Sequence, residues 1–116
     1  MAYDVEMQTR PECAVERTLD IIGSKWTTLI LRELLSGTKR FGELKSALAG
    51  ISPKTLADRL RTLEAQEIVT RAVFPEVPPR VEYTLTERGR SLGDIIAAMA
   101  CWGARDMDDL AVRDAS

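Results

Sequence analysis

Basic and hydroxyl side chains between residues 52 and 62 are the residues best suited to ligand chemistry in this sequence. At about 100° per residue, a helix over this stretch would gather them on one face. That face would carry Lys54, Thr55, Asp58, Arg61 and Thr62, with Arg59 on a flank. Cationic side chains hold phosphate, and small hydrogen-bonding groups reach base edges in a DNA major groove. The face is a candidate nucleic-acid surface, although a solvated face of an ordinary amphipathic helix has a similar composition.

The distribution of charge supports this interpretation, whereas the net charge does not. The whole chain carries a net charge of −2. The segment 39–61 nevertheless holds six basic residues against two acidic ones, Glu43 and Asp58, which is a local charge of +4. Phosphates respond to the charge within a Debye length of about 8–10 Å. Lys39 and Arg40, at the start of this segment, therefore join the candidate DNA-binding residues.

Thiols are the other reactive groups, and they are few. The chain has two cysteines, Cys13 and Cys101, and no histidine. This composition excludes a secreted disulfide framework and a mixed Cys/His zinc site, and it leaves no group to activate a thiol. We therefore expect no enzyme activity, no metal and no cofactor.

The two thiols suggest different roles. Cys13 precedes a predicted helix, whose dipole favours a reactive thiolate, so it is a candidate sensing residue or simply a structural one. Cys101 lies on an Ala-rich helical stretch and is typical of a small buried hydrophobe.

Length and composition limit the class of protein. The 116 residues fit one domain, and 45% hydrophobic with 29% charged residues is an ordinary globular composition. No apolar run approaches the roughly 20 residues of a membrane span. The first residues lack the apolar segment of a signal peptide. We expect a cytoplasmic protein without a membrane partner.

The helix that would position the candidate surface has clear sequence signals. Ser52 suits the N-cap, and Pro53 suits the first helical position. Leu56, Leu60 and Leu63 recur at helical spacing and form one narrow apolar stripe for burial. We call this the reader helix.

Other elements are predicted on both sides of the reader helix. Helices are predicted over 14–22, 25–36 and 41–48, with a minimal strand at 39–40. The 41–48 helix and the reader helix are joined by a turn containing Gly50, which is the helix-turn-helix arrangement. Alternation over 68–74 and 80–85 predicts two strands, and Thr86 would cap a last helix from 87 to about 107.

The two strands form a candidate wing. They are joined by a proline-rich loop over 75–79, and Arg80 at the base with Arg71 on the paired strand could contact DNA backbone or a minor groove. The alternative is a plain sheet edge that prolines protect from aggregation.

The last helix has more apolar surface than a core of this size needs. Its apolar side consists of Leu92, Ile95, Ile96, Met99 and Trp102. Such a surface on a small chain predicts a partner, and a second copy of the chain is the natural one.

In this order and spacing, the segments resemble the HxlR-type transcriptional regulators, relatives of the MarR-type regulators. The most specific segments are CAVERTLDIIGSKWTTLILREL, RFGEL, GISPKTLADRLRTLE and PEVPPRVEYTLTERG, followed by Trp102-Gly103. The resemblance implies a mainly α fold with a small β-hairpin wing, a dimeric winged helix-turn-helix. We expect this domain over residues 13–107, after a flexible arm at 1–12 and before an acidic tail at 108–116.

The resemblance also implies a function. It implies a homodimer, joined by N- and C-terminal helices that include Val15 and Leu19, bound to a (pseudo)palindromic DNA operator. The reader positions carry over to Ser52, Lys54, Thr55, Asp58 and Arg59, and the wing positions to 75–80. Some members of the family sense oxidants or electrophiles through a cysteine that matches Cys13.

The alternatives are a DNA-binding regulator with a non-covalent effector or none, and a winged helix used as a protein–protein module. The exposed cations and the absence of aromatic or Met anchors on the reader face favour DNA.

One local feature departs from the family pattern. Many members end the reader helix with glycine, whereas this chain has Ala65-Gln66-Glu67-Ile68. A non-glycine residue in a left-handed cap costs about 1 kcal/mol, so we expect this turn to close differently.

Overall fold

Six helices and a small antiparallel sheet make up the computed structural model, which describes residues 13–115. The helices are α1 Ala14–Ile22, α2 Lys25–Leu35, α3 Phe41–Ala47, α4 Pro53–Ala65, α5 Glu87–Arg90 and α6 Gly93–Ala115. The strands are β1 Lys39–Arg40, β2 Val69–Phe74 and β3 Arg80–Leu85. The predicted fold class, mainly α with a hairpin wing, is confirmed. The predicted arm at 1–12 lies outside the described residues.

The sheet has the order β1-β3-β2, with β3 in the centre. β2 and β3 form the predicted hairpin, in which Val69 lies opposite Leu85 and Phe74 lies opposite Arg80. β1 adds to the other side of β3, with Lys39 opposite Tyr83. The sheet therefore links the start of α3 to the hairpin.

A single apolar core joins the helices to one face of the sheet. α2 passes through its centre, with Ile30, Leu31 and Leu34 at most 2% exposed. The other members come from α3, α4, both hairpin strands and the start of α6: Leu44, Leu48, Ile51, Leu56, Leu60, Leu63, Ile68, Val69, Tyr83, Leu85, Leu92 and Ile96. The predicted apolar stripe of the reader helix is therefore buried as expected.

The end of α4 closes as a glycine-ended helix does, and our expectation of a different closure was wrong. Glu67 takes the left-handed conformation, with φ 60°. Its N–H donates to the Glu64 carbonyl at 3.0 Å, and the Ile68 N–H donates to the Leu63 carbonyl at 2.9 Å. Both bonds belong to the Schellman motif, and the accompanying contact of apolar residues is available because Ile68 and Leu63 are buried.

The last predicted helix differs from the structure in two ways. It is divided into α5 and α6, because the chain turns at Ser91-Leu92 before α6 begins at Gly93. Ser91 and Gly93 are weak helix formers, and the turn lets Leu92 reach the core. α6 then continues to Ala115 and not to about Met107, so the acidic residues that we assigned to a tail lie on its last turns.

The molecule is more extended than a chain of this length usually is. Its radius of gyration is 17.5 Å, and its principal extents are 55 × 53 × 23 Å. A compact chain of this size has a radius of gyration of about 13 Å. None of the helices described between residues 13 and 115 is long and apolar enough to cross a membrane.

Candidate nucleic-acid interface

α4 presents the candidate surface because its two ends and its apolar stripe are fixed. The Ser52 hydroxyl accepts a hydrogen bond from the Thr55 N–H at 3.0 Å, and Pro53 occupies the first turn. Leu56, Leu60 and Leu63 are at most 1% exposed. α3 precedes α4 in the chain, and the turn that contains Gly50 joins them. The helix-turn-helix geometry is therefore present.

The predicted reader residues lie together on the outward side of α4. Ser52, Lys54, Asp58, Arg59 and Arg61 are exposed, and Thr55 is half-buried. The Ser52 hydroxyl also donates to Thr55 Oγ1 at 2.9 Å, which leaves the Thr55 hydroxyl proton free for another acceptor. The side chains that could read bases are therefore near the start of the helix.

Two of these residues have additional neighbours. Arg61 Nη2 donates to Asp58 Oδ1, one turn earlier on the same helix. Arg59 lies on the predicted flank, where it lines a depression together with Leu19 of α1 and Thr27 of α2. Arg59 therefore borders α1 and α2 as well as the reader face.

The basic pair at the start of the helix-turn-helix unit is fixed by pairing with the sheet. Lys39 is half-buried and Arg40 is exposed. The Arg40 N–H donates to Glu43 Oε1 at 2.8 Å, which fixes the first turn of α3. Arg40 lies on the surface near the hairpin loop. Arg40 and the loop both line a groove of about 670 Å³.

Arg80 is the first residue of β3, so it lies at the loop end of the wing and not at its base as we expected, and its guanidinium already has neighbours. Nη2 lies 3.3 Å from Glu76 Oε1, and Nε lies 3.2 Å from Glu82 Oε2 without the alignment of a hydrogen bond. The guanidinium also stacks on Phe74, with its carbon 4.1 Å from the ring centroid. The contacts tie the loop to both strands, so Arg80 stabilises the hairpin whether or not it meets DNA.

Arg71 has a more open position than Arg80. It is exposed on β2 and, within residues 13–115, has no ion-pair partner. It lines the same depression as Arg61 of α4. The strand alternation predicted that Arg71 lies on the wing. Its proximity to Arg61 depends on how the sheet packs on α4, and the sequence pattern does not predict that packing.

The predicted interface residues separate into buried and exposed groups. Leu92 and Ile96 are 8% and 6% exposed, because they complete the chain's own core. The rest remain available to a partner: Val15, Leu19, Ile95, Met99 and Trp102. Met107, Leu110 and Val112, on the extended end of α6, are also exposed and lie beyond the apolar side that we predicted.

Both cysteines are free and exposed. Cys13 is the N-cap of α1, with its carbonyl accepting a hydrogen bond from the Arg17 N–H at 3.2 Å. Our expectation of a buried Cys101 was wrong, because this stretch of α6 projects beyond the core. In the described part of the chain, no group of three His, Cys, Asp or Glu residues could hold a metal ion.

Comparisons with known proteins agree with this geometry. The sequence model described as "HxlR-like helix-turn-helix" matches residues 21–110. An uncharacterized HTH-type transcriptional regulator from Synechocystis is 49% identical over 87 residues. The match covers 75% of this chain and 64% of that relative, so the chain spans less than two thirds of its length.

Two solved regulators are similar in structure as well as in sequence. The redox regulator HypR in its reduced form is 43% identical, with a TM-score of 0.80 over 86% of this chain and 99% of that one. Its oxidized form gives a TM-score of 0.76 at 45% identity, over 80% and 96% of the two chains. The reduced transcriptional regulator YodB from Bacillus subtilis is 43% identical, with a TM-score of 0.68 over 78% and 89% of the two chains.

Proposed function

The chain belongs to the HxlR-like helix-turn-helix family of transcriptional regulators, and from this premise we propose that it binds a (pseudo)palindromic DNA operator as a homodimer. The observation that carries the proposal is the outward face of α4. Its apolar side is buried, while Lys54 is exposed and has no ion-pair partner among the described residues. Such a face at the start of a reader helix suits a major groove.

The homodimer is supported by apolar surface that the chain does not cover itself. Trp102 is 63% exposed and Met99 is 48% exposed on α6, while Val15 and Leu19 are exposed on α1. The large radius of gyration fits helices that project toward a partner. Burial of this surface against a second copy would remove it from water and give two α4 helices related by a two-fold axis.

Selection of bound duplexes from a random DNA pool tests this function. We expect an enriched inverted repeat whose half-sites are one helical turn apart, about 34–36 Å, or a multiple of it. Enrichment of no duplex, at low salt as well as at physiological salt, would contradict DNA binding. An enriched single half-site without symmetry would contradict the dimeric arrangement.

We further propose that Cys13 makes DNA binding responsive to oxidants or electrophiles. The support is its exposed place at the N-cap of α1, beside the surface proposed for dimerisation. HypR is described as a redox regulator, and YodB was also solved after diamide treatment, at 40% identity and a TM-score of 0.67. Oxidation or alkylation adds bulk or polarity at this position, which can favour one arrangement of the dimer over another.

Two alternative functions predict different results in these DNA-binding experiments. A regulator with a non-covalent effector, or with none, would bind the same DNA whatever the state of its thiols. A winged helix used as a protein–protein module would enrich no duplex from the pool. The exposed cations of α4 favour DNA over that second alternative.

A further inference from the structure

We infer that a depression between α4 and the hairpin is a phosphate-binding subsite, and that it holds one backbone phosphate of duplex DNA. The depression encloses about 340 Å³ and is lined by Ala57, Arg61, Glu64, Arg71 and Tyr83. This inference rests on the proposed function and adds to it a contact that joins Arg61 of the reader face to Arg71 of the hairpin. A phosphate contact of this kind contributes affinity and register but no sequence preference.

Two arginines line the depression from different elements. Arg61 comes from α4 and Arg71 from β2, and both residues are exposed. Glu64 is the one carboxylate among the lining residues, so the lining carries a charge of +1. Planar guanidinium groups match the geometry of phosphate oxygens, and two of them can hold one phosphate from two sides.

The bond between Arg61 and Asp58 does not exclude this role. The two side chains are 70% and 51% exposed, and an ion pair so open to water is weak. A guanidinium has five N–H donors. Arg61 can therefore keep Asp58 as one acceptor and offer its other donors to a phosphate.

Tyr83 adds a hydrogen-bond donor to the lining of the depression. Its side chain lines the depression although the residue is only 7% exposed. Its hydroxyl has no hydrogen-bond partner among the residues that the structure describes. Among the described residues the hydroxyl oxygen is not a buried atom without a partner, so it reaches solvent, and a phosphate oxygen in the depression would be an acceptor for its proton.

The pairing of the strands fixes these groups relative to one another. Arg71 and Tyr83 are directly opposite on β2 and β3, and Lys39 is opposite Tyr83 on β1. Directly opposite residues point to the same face of a sheet, and neighbouring strands are about 5 Å apart. Tyr83 therefore lies between two basic residues on one face of the sheet, and one of them, Arg71, lines the depression with it.

A salt series of DNA-binding titrations tests the subsite. The proteins are the wild type, Arg71→Ala, Tyr83→Phe and the control Arg90→Ala, which removes an exposed arginine outside the depression. DNA affinity falls as salt rises, so the slope of log K against log salt is negative. Arg71→Ala should make this slope shallower by about 0.9, as expected for one lost phosphate contact. It should weaken a selected and a scrambled duplex by the same factor.

The neutral variant and the control give different expected results. Tyr83→Phe should weaken both duplexes a few-fold and keep the wild-type slope, because a hydroxyl carries no charge. Arg90→Ala should match the wild type. If Arg71→Ala behaves like Arg90→Ala while the wild type still binds DNA with a steep salt dependence, the subsite is refuted and the proposed function is not.

Single methylphosphonate substitutions in the selected duplex then identify the phosphate. One position in each half-site should weaken the wild type when its charge is removed and have no further effect on Arg71→Ala. Equal sensitivity of both proteins at every position would overturn the inference. If the wild type binds no duplex at all, both the proposed function and this contact are refuted.

A free phosphate is the other source of the same chemistry. Inorganic phosphate is titrated against chloride at constant ionic strength, and the Arg61 and Arg71 Nε–Hε NMR signals are followed. We expect no saturable shift in the millimolar range, because a single free phosphate lacks the contacts of the duplex. A saturable shift, with DNA binding unaffected by Arg71→Ala, would assign the depression to free phosphate and overturn the DNA contact.

Discussion

At the scale of single residues, we propose that a small change at the Cys13 thiol affects the whole of the proposed dimer. It is exposed at the start of α1, a helix whose apolar residues we assign to the interface. Diamide or a quinone should change operator affinity of the wild type, and Cys13→Ser should abolish that response. DNA-binding titrations with and without oxidant measure both effects.

Cys101→Ser is the matched control for this prediction, because Cys101 is also exposed. It should retain the response unless the two thiols pair with each other. Such pairing would be visible as a crosslinked species on a non-reducing gel. Identical curves for oxidised and reduced wild type would leave Cys13 a structural residue.

Glu67 is a second residue with a local consequence, this time for stability. It holds a left-handed conformation that glycine adopts without the steric cost of a Cβ atom. Glu67→Gly should therefore raise the free energy of unfolding by about 1 kcal/mol. Urea unfolding at a fixed protein concentration measures the difference, since a dimer's stability depends on concentration.

Glu64→Gly provides the comparison for Glu67→Gly. Glu64 is exposed within α4, where glycine should lower the free energy of unfolding by about 1 kcal/mol. If both substitutions lowered the free energy of unfolding by the same amount, the left-handed conformation of Glu67 would not be a source of strain.

At the scale of elements, the wing depends on the contacts of Arg80. Arg80→Ala would leave Glu82 half-buried without its nearest cation and would uncover the Phe74 ring. We expect a loss of about 1–2 kcal/mol in the free energy of unfolding, by urea denaturation. Its effect on the salt slope of DNA binding should be smaller than that of Arg71→Ala, because Glu76 and Glu82 already neutralise the charge.

Arg80→Lys separates the charge from the stacking in this prediction. Lysine keeps a cation near both carboxylates but loses the planar group that stacks on Phe74. An intermediate stability is expected. Wild-type stability of Arg80→Ala, with a salt slope reduced by a full phosphate contact, would show that Arg80 acts on DNA and not on the hairpin.

The elements themselves were largely predictable because their signals are local. Ser52 and Pro53 specify the start of α4, and the alternation over 80–85 specifies β3, whose bounds the structure reproduces. The division between α5 and α6 was missed because helical periodicity continues through Ser91 and Gly93. Its cause is tertiary: Leu92 turns into the core there.

The candidate site was less predictable because it depends on distant parts of the chain. The α4 pattern identified Arg61, and the strand pattern placed Arg71 on the wing. No pattern states that they share one depression, which follows from the packing of β2 on α4. In the same way, periodicity grouped Leu92 and Ile96 with Ile95, although the chain's own core buries the first two.

At the scale of the whole molecule, the exposed apolar residues of α1 and α6 are the basis of the dimer that we propose. Trp102→Glu would place a charge in the proposed interface, and burying an unpaired charge is costly. We expect the wild type to sediment as a dimer at micromolar concentration and this variant as a monomer. Val77→Glu is the control, since Val77 is fully exposed on the wing loop and away from both helices, and it should remain dimeric. A monomeric wild type would contradict the dimer and the symmetric operator with it.

In the function that we propose, the outward face of α4 reads the sequence of a DNA duplex. Duplex selection from a random pool, performed in parallel with the wild type, Thr55→Ala and Thr70→Ala, tests this claim directly. Thr55 lies near the start of α4 with its hydroxyl proton free, whereas Thr70 is exposed on β2, on the opposite face of the sheet from Arg71. We predict that Thr55→Ala loses preference at the same base pair of both half-sites, and that Thr70→Ala selects the wild-type motif. An unchanged motif from Thr55→Ala, or no motif from the wild type, would contradict it.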